Sequence, residues 1–164
     1  MLNPMTNKNL LHQDLIKLNS VAFCQKVIDY SHLLNINPDW LMQVMYKETG
    51  GTFNPAIKNK AGSGAVGLIQ FMPDTAKMLD TTILQLSKMS NVQQLYFVYK
   101  YLYPFRNRMK TFGDTYLAVF YPAAIGKPDD FLLPAYITRQ NKGLDANKSG
   151  QISRGEIIKW ASKD

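Results

Sequence analysis

The sequence predicts an all-α fold, and three observations predict it. Apolar residues recur with a helical period along almost the whole chain. No stretch alternates apolar and polar residues with the period of two that a half-buried strand needs. Helix start and stop signals bracket the periodic segments, as Asn37-Pro38 and Gly50-Gly51 do around one of them. With 164 residues and 46% hydrophobic content, the chain can bury a core without covalent staples.

The elements follow in order. Ser20 is expected to cap a helix whose stripe carries Val21, Cys24, Val27, Ile28 and Tyr30. Cys24 falls on that stripe and reads as a small core residue, not a nucleophile. Asn37 followed by Pro38 reads as an N-cap with proline at the first helical position, and this helix should stop at Gly50-Gly51. The stretch Lys58 to Gly67 holds three glycines and reads as a loop. Pro73-Asp74 restarts a helix through about Leu79, with Asp74 suited to the positive helix start. Ser90 and Gln93 have capping-box spacing, and the helix behind them should run until Pro104. Asp114 is expected to cap a helix running through Phe120 and broken at Pro122.

Lys and Arg total 19 against 12 Asp and Glu, a net charge of +7. That balance favours a polyanionic neighbour, either nucleic acid, anionic lipid or an anionic cell wall. The densest basic cluster, Arg106, Arg108 and Lys110, reads more readily as a solvated face than as a binding patch. One cysteine excludes an intramolecular disulfide and a cysteine-based metal cluster. No apolar run approaches the ~20 residues of a membrane span. The start, MLNPMTNKNLLHQDLIKL, lacks the pattern of a signal peptide, so delivery by another route is expected.

Glu48 is the informative residue. Leu41, Val44 and Met45 form an apolar stripe, and Glu48 continues it seven residues after Leu41. Burial disfavours a charged carboxylate, and so does the negative end of the helix dipole. Both effects push its pKa towards the range useful to a general acid. The plainer reading has Glu48 leaning into solvent at a frayed helix end, paired with Lys47 or Lys58.

The residues after Glu48 carry a resemblance. Thr49, Phe53-Asn54-Pro55 and the run Gly64-Ala65-Val66-Gly67-Leu68-Ile69-Gln70-Phe71-Met72-Pro73-Asp74-Thr75-Ala76 closely resemble the soluble lytic transglycosylases and the related goose-type lysozymes. The resemblance implies a lysozyme-like fold, with Glu48 as catalytic acid/base. It implies Thr49 and Gln70 in the substrate cleft, and sugar stacking is expected on aromatics such as Phe71 or Tyr121. A third family element, usually Ala-Tyr-Asn-Ala-Gly, is altered in LAVFYPAAIGKP. One register puts Phe120 at the family tyrosine, and the other puts Tyr121 there. The asparagine is absent in both.

Most glycosidases use two carboxylates. No other acid lies between Glu48 and Asp74, so a single-carboxylate route fits better. Protonated Glu48 would protonate the glycosidic oxygen, and the 2-acetamido group of the sugar would stabilise the developing cation. Glu48, now a base, would then deprotonate the sugar's own 6-hydroxyl, which closes a 1,6-anhydro ring. Attack by water instead would make the enzyme a muramidase, and the sequence leaves both outcomes open.

Asp145-Ala-Asn-Lys-Ser-Gly-Gln-Ile-Ser-Arg-Gly-Glu156 fits the twelve-residue EF-hand loop. Asp145, Asn147, Ser149, Gln151 and Glu156 hold ligand positions 1, 3, 5, 7 and 12. Ser153 with Glu156 is equally a capping box that needs no metal. A structural Ca2+ is the cofactor expected, with none for catalysis. Residues 1–140 are expected to form the transglycosylase domain, and 141–164 a tail carrying this loop and packed on it.

The resulting expectation is a monomeric enzyme that cleaves the MurNAc-β-1,4-GlcNAc bond of peptidoglycan strands, at the wall and from a phage or bacterial source. A weakened wall-binding component of a virion or secretion machine is the first rival. A nucleic-acid binder is the second, and only the charge supports it.

Overall fold

The computed structural model describes residues 9–164; the first eight residues of the chain, which open both the leader reading and the 1–140 domain, lie outside the described residues. The elements described are helical: α1 (Ser20–Leu34), α2 (Pro38–Glu48), α3 (Pro73–Met78), α4 (Ile83–Ser87), α5 (Asn91–Leu102), α6 (Phe112–Phe120), α7 (Ala135–Gln140) and α8 (Arg154–Ala161). Among the described residues, one 3-10 turn precedes α1 and three more lie between the later helices. Among the described residues, extended pairing is limited to three isolated bridges.

Several helix ends follow from single residues. The Asn37 side chain accepts from the Asp39 N–H, and Pro38 supplies the first turn of α2. Ser90 and Gln93 make both halves of a capping box at the start of α5. Pro104 sits in a 3-10 turn that tightens the end of α5. Beyond α2, Gly50 and Gly51 take positive φ of 59° and 79°, the conformation in which glycine has no steric penalty.

Three expectations are corrected. Asn19, not Ser20, precedes α1, and Ser20 is the first helical residue. The buried stripe of α1 is Phe23, Val27, Ser31 and Leu34, whereas Val21 is 85% exposed. Two stripes one step apart both had helical spacing, and the bulkier Phe23 takes the core. Cys24 is half-buried against that core, as expected of a small apolar residue. Asp114 is not a cap either. Thr111 accepts from the Asp114 N–H, while the Asp114 carboxylate is buried and paired with Arg154.

The core is continuous from α1 to α8. Val27, Met45, Leu95 and Leu117 share one cluster with Ile152, Ile157 and Ala161 of the C-terminal segment. That segment is also pinned by its backbone. Leu133 N–H donates to the Ile152 carbonyl, and Arg154 N–H donates to the Phe131 carbonyl. The consequence for the site is that α2 packs against α6, and α8 packs against both.

Candidate active site

Glu48 is the last residue of α2. The chain must leave the helix at once, and Thr49 fixes how. Its hydroxyl donates to the Met45 carbonyl at 2.7 Å and accepts from the Phe53 N–H at 2.9 Å. Thr49 is 1% exposed, so its hydroxyl holds the turn behind Glu48 instead of facing sugar as the sequence suggested. Phe71 is corrected in the same way. It is 1% exposed, and its ring belongs to the core and offers no stacking face.

The glycine-containing segment folds back on itself. Val66 and Phe71 exchange backbone bonds of 3.1 and 2.8 Å, and Gly67 N–H donates to the Ile57 carbonyl. Gln94 of α5 anchors the segment from below. Its side chain accepts from Leu68 N–H at 2.7 Å and donates to the Pro55 carbonyl at 2.8 Å. Gly67, at φ 87°, leaves no space for a Cβ between Pro55 and Gln94. Gln70 is half-buried in left-handed backbone, and its amide donates to the carbonyls of Ile57 and Gly67. That bonding makes it a brace of the loop.

Glu48 does not lean freely into solvent, and neither Lys47 nor Lys58 forms an ion pair with it. Its Oε1 accepts a 3.2 Å hydrogen bond from the Tyr116 hydroxyl. Tyr116 lies in the middle of α6 and is 1% exposed. Glu48 as a residue is half-buried, with its carboxyl turned to α6. Burial pushes the Glu48 carboxyl up to about 7, and the bond from Tyr116 acts in the opposite direction. No second carboxylate contributes to that shift. Asp114, two residues from Tyr116 in sequence, is already committed to Arg154 at 2.7 Å.

Aromatic residues surround the pair. The Phe120 ring stacks near-parallel to Tyr116 with centroids 6.0 Å apart. Tyr101 of α5 donates to the Ala118 carbonyl at 2.6 Å. Burial and the nearby Glu48 charge push the Tyr101 hydroxyl up to about 12. Trp160 of α8 meets Tyr116 edge to face at 6.1 Å. Tyr121 is half-buried at the end of α6. Of the expected aromatics, Phe120 is therefore next to the Glu48 partner, while Tyr116, Tyr101 and Trp160 were missed. Tyr116 does carry a sequence signal, because it stands four residues from both Phe112 and Phe120 on one face of α6.

A model of the transglycosylase SLT domain matches residues 26–122, more than half of the chain. The chain belongs to this family. No curated protein and no solved structure matches it. The SLT domain is that of peptidoglycan lytic transglycosylases, so the chain is an enzyme of cell-wall peptidoglycan cleavage. The matched SLT segment contains α2 with Glu48, the glycine-containing loop and α6 with Tyr116. The EF-hand-like loop and α8 lie beyond it. Among the described residues, no helix is long and apolar enough to cross a membrane.

The five predicted cation ligands come together in one exposed turn. Asp145 accepts from the N–H groups of Ser149 and Gly150 at 3.0 and 2.9 Å. Asn147 accepts from Ser149 N–H, and the Ser149 hydroxyl donates to the Gln151 carbonyl. Glu156 closes the turn, accepting from Asn147 N–H on one oxygen and Ser153 N–H on the other. The Ser153–Glu156 capping box is also fully formed. Gly150 takes φ 89° at the sharp bend.

Proposed function

We propose that Glu48 is the one catalytic carboxylate and that it cleaves the MurNAc-β-1,4-GlcNAc bond. The observation that carries this reading is a half-buried glutamate whose desolvated carboxyl has a pKa near 7, is held by a buried tyrosine and, among the described residues, has no acidic partner. A group with that pKa is substantially protonated at neutral pH yet can also take a proton back.

The steps balance around this one group. Glu48 gives its proton to the glycosidic oxygen, the C1–O bond breaks, and the GlcNAc hydroxyl leaves. The 2-acetamido carbonyl of MurNAc shares the positive charge at C1. The Glu48 carboxylate then accepts the proton of the MurNAc 6-hydroxyl as that oxygen bonds to C1, which yields the 1,6-anhydro product. Glu48 ends protonated as it began. Tyr116 supports the carboxylate form between the two half-reactions, because its hydrogen bond favours the charged state.

We also infer that the 145–156 turn takes Ca2+ as a structural ion. Asp145, Asn147, Ser149, Gln151 and Glu156 supply hard oxygen donors in EF-hand register. Only two of the side chains are carboxylates, so weak affinity is expected.

The test of the catalytic reading is Glu48→Gln, which keeps shape and hydrogen bonding but cannot shuttle a proton. Clearing of purified cell walls should fall by a factor on the order of 10²–10⁴ with the fold unchanged. A folded Glu48→Gln enzyme that clears walls at the wild-type rate would refute it.

A further inference from the structure

The helix that follows the EF-hand-like turn lies outside the matched SLT segment, yet it reaches the immediate neighbours of Glu48. Trp160 makes two contacts there. Its ring meets Tyr116 edge to face at 6.1 Å, and the Lys47 ammonium lies over it at 4.8 Å from the centroid. Tyr116 is the hydrogen-bond partner of Glu48, and Lys47 is its neighbour in the chain. The indole therefore bridges the two structures that fix the Glu48 carboxyl, its own helix end and the hydroxyl donor on α6.

Helix α8 is held at both ends, so this bridge has a fixed position. At its start, Arg154 is buried and forks to the Asp114 carboxylate at 2.7 Å and the Asp129 carboxylate at 2.9 Å. Its Nε also donates to the Ala124 carbonyl. At its end, the Gln43 amide of α2 donates to the Ala161 carbonyl at 2.8 Å and the Lys163 carbonyl at 3.2 Å. Between these clamps, Gly113 lets α8 approach α6 closely, because a Cβ there would run into Ile158. Trp160 remains 38% exposed while its ring makes both contacts.

Resting on the Glu48 reading, we propose that Trp160 is a positioning residue for that reaction, acting on Glu48 through Tyr116. The family-matched segment would then be catalytically incomplete without α8. Small displacements of a reacting group cost rate steeply, so a loosened Tyr116 should be felt in turnover more than in binding.

The experiment measures kcat and KM on soluble peptidoglycan fragments for Trp160→Ala, Trp160→Phe, Tyr116→Phe and the Trp160→Ala/Tyr116→Phe pair, beside Glu48→Gln. Trp160→Ala should lower kcat about tenfold with little change in KM, and Trp160→Phe should recover most of the loss, as removal of a transition-state contribution requires. Once Tyr116→Phe has removed the hydroxyl, Trp160→Ala should cost little more, because the two act in one chain. Should Trp160→Ala fail to fold, Trp160→Leu keeps apolar bulk without a ring edge and carries the same expectation.

A raised KM with unchanged kcat would overturn the proposal and make Trp160 a sugar contact. Fully additive losses in the double variant, or no loss at all, would overturn it too. The Glu48→Gln control separates the two readings. Activity in that variant sinks the catalytic assignment, whereas an inactive Glu48→Gln beside a fully active Trp160→Ala sinks only the role of Trp160.

Discussion

The Tyr116 hydroxyl on α6 donates to Oε1 of Glu48 at the end of α2, across 68 positions of sequence and 3.2 Å of space. The bond favours the ionised carboxyl and works against the burial that raises its pKa. Tyr116→Phe keeps the ring in place and removes the bond. The Glu48 pKa should then rise above its present value of about 7. The alkaline limb of the activity profile should move to higher pH, because the acid step needs the protonated form. Rate profiles of both proteins over pH 5–9 check this. A limb that moves to lower pH would contradict the assigned direction.

Glu48 should also cost stability at neutral pH. Its folded pKa is raised from 4.5 to about 7, so the folded state binds the proton more tightly than the unfolded chain. Stability therefore falls as pH rises through the window from 4.5 to about 7. Glu48→Gln removes that dependence. Its melting temperature should exceed that of the wild type at pH 8, and the gap should close near pH 4. Calorimetry at the two pH values measures it, and a gap equal at both would mean that Glu48 is not desolvated.

Gln94 joins the glycine-containing loop to α5, and its side chain is fully buried. Gln94→Leu deprives Leu68 N–H and the Pro55 carbonyl of their partner. The loss should be about 2–6 kcal/mol, at roughly 1–3 kcal/mol for each of these two groups left unmet. Gly67→Ala should also destabilise, since it places a Cβ at φ 87° against Pro55 and Gln94. Urea unfolding of both variants tests this. A cost below about 1 kcal/mol for Gln94→Leu would show that the loop is anchored elsewhere.

Calcium should raise the melting temperature modestly, and Asp145→Ala should abolish the response. Asp145 accepts from two N–H groups of the turn and stands at the first ligand position, so the variant removes both functions. Equal melting with excess calcium and with chelator would leave Glu156 as a helix cap alone.

The sequence carried much of this through local signals. The Asn37-Pro38 start of α2 and the Ser90–Gln93 box depend on residues two or three apart, and both form as spaced. Glu48 was visible because a carboxylate continued an apolar stripe, and burial with a raised pKa is what that conflict produces. Tyr116 was not visible as its partner, since one more aromatic on an apolar helix reads as core until α6 is set against α2. Asp114 looked like a cap for the same reason. Its partner Arg154 lies 40 residues away, and only the fold brings them together. Burial alone would push Asp114 up, but the N–H groups of Gly126 and Lys110, Thr111 and the Arg154 guanidinium together hold it below the usual range. Phe71 and Thr49 erred in the other direction, because motif residues beside a site can serve to shape its loop from within.

Mass spectrometry of muropeptides released from purified sacculi tests the central claim most directly. The wild-type enzyme should release 1,6-anhydro-MurNAc ends, and Glu48→Gln should release essentially none. Anhydro products from a folded Glu48→Gln enzyme at an undiminished rate, or only reducing ends from the wild type, would contradict the single-carboxylate transglycosylase.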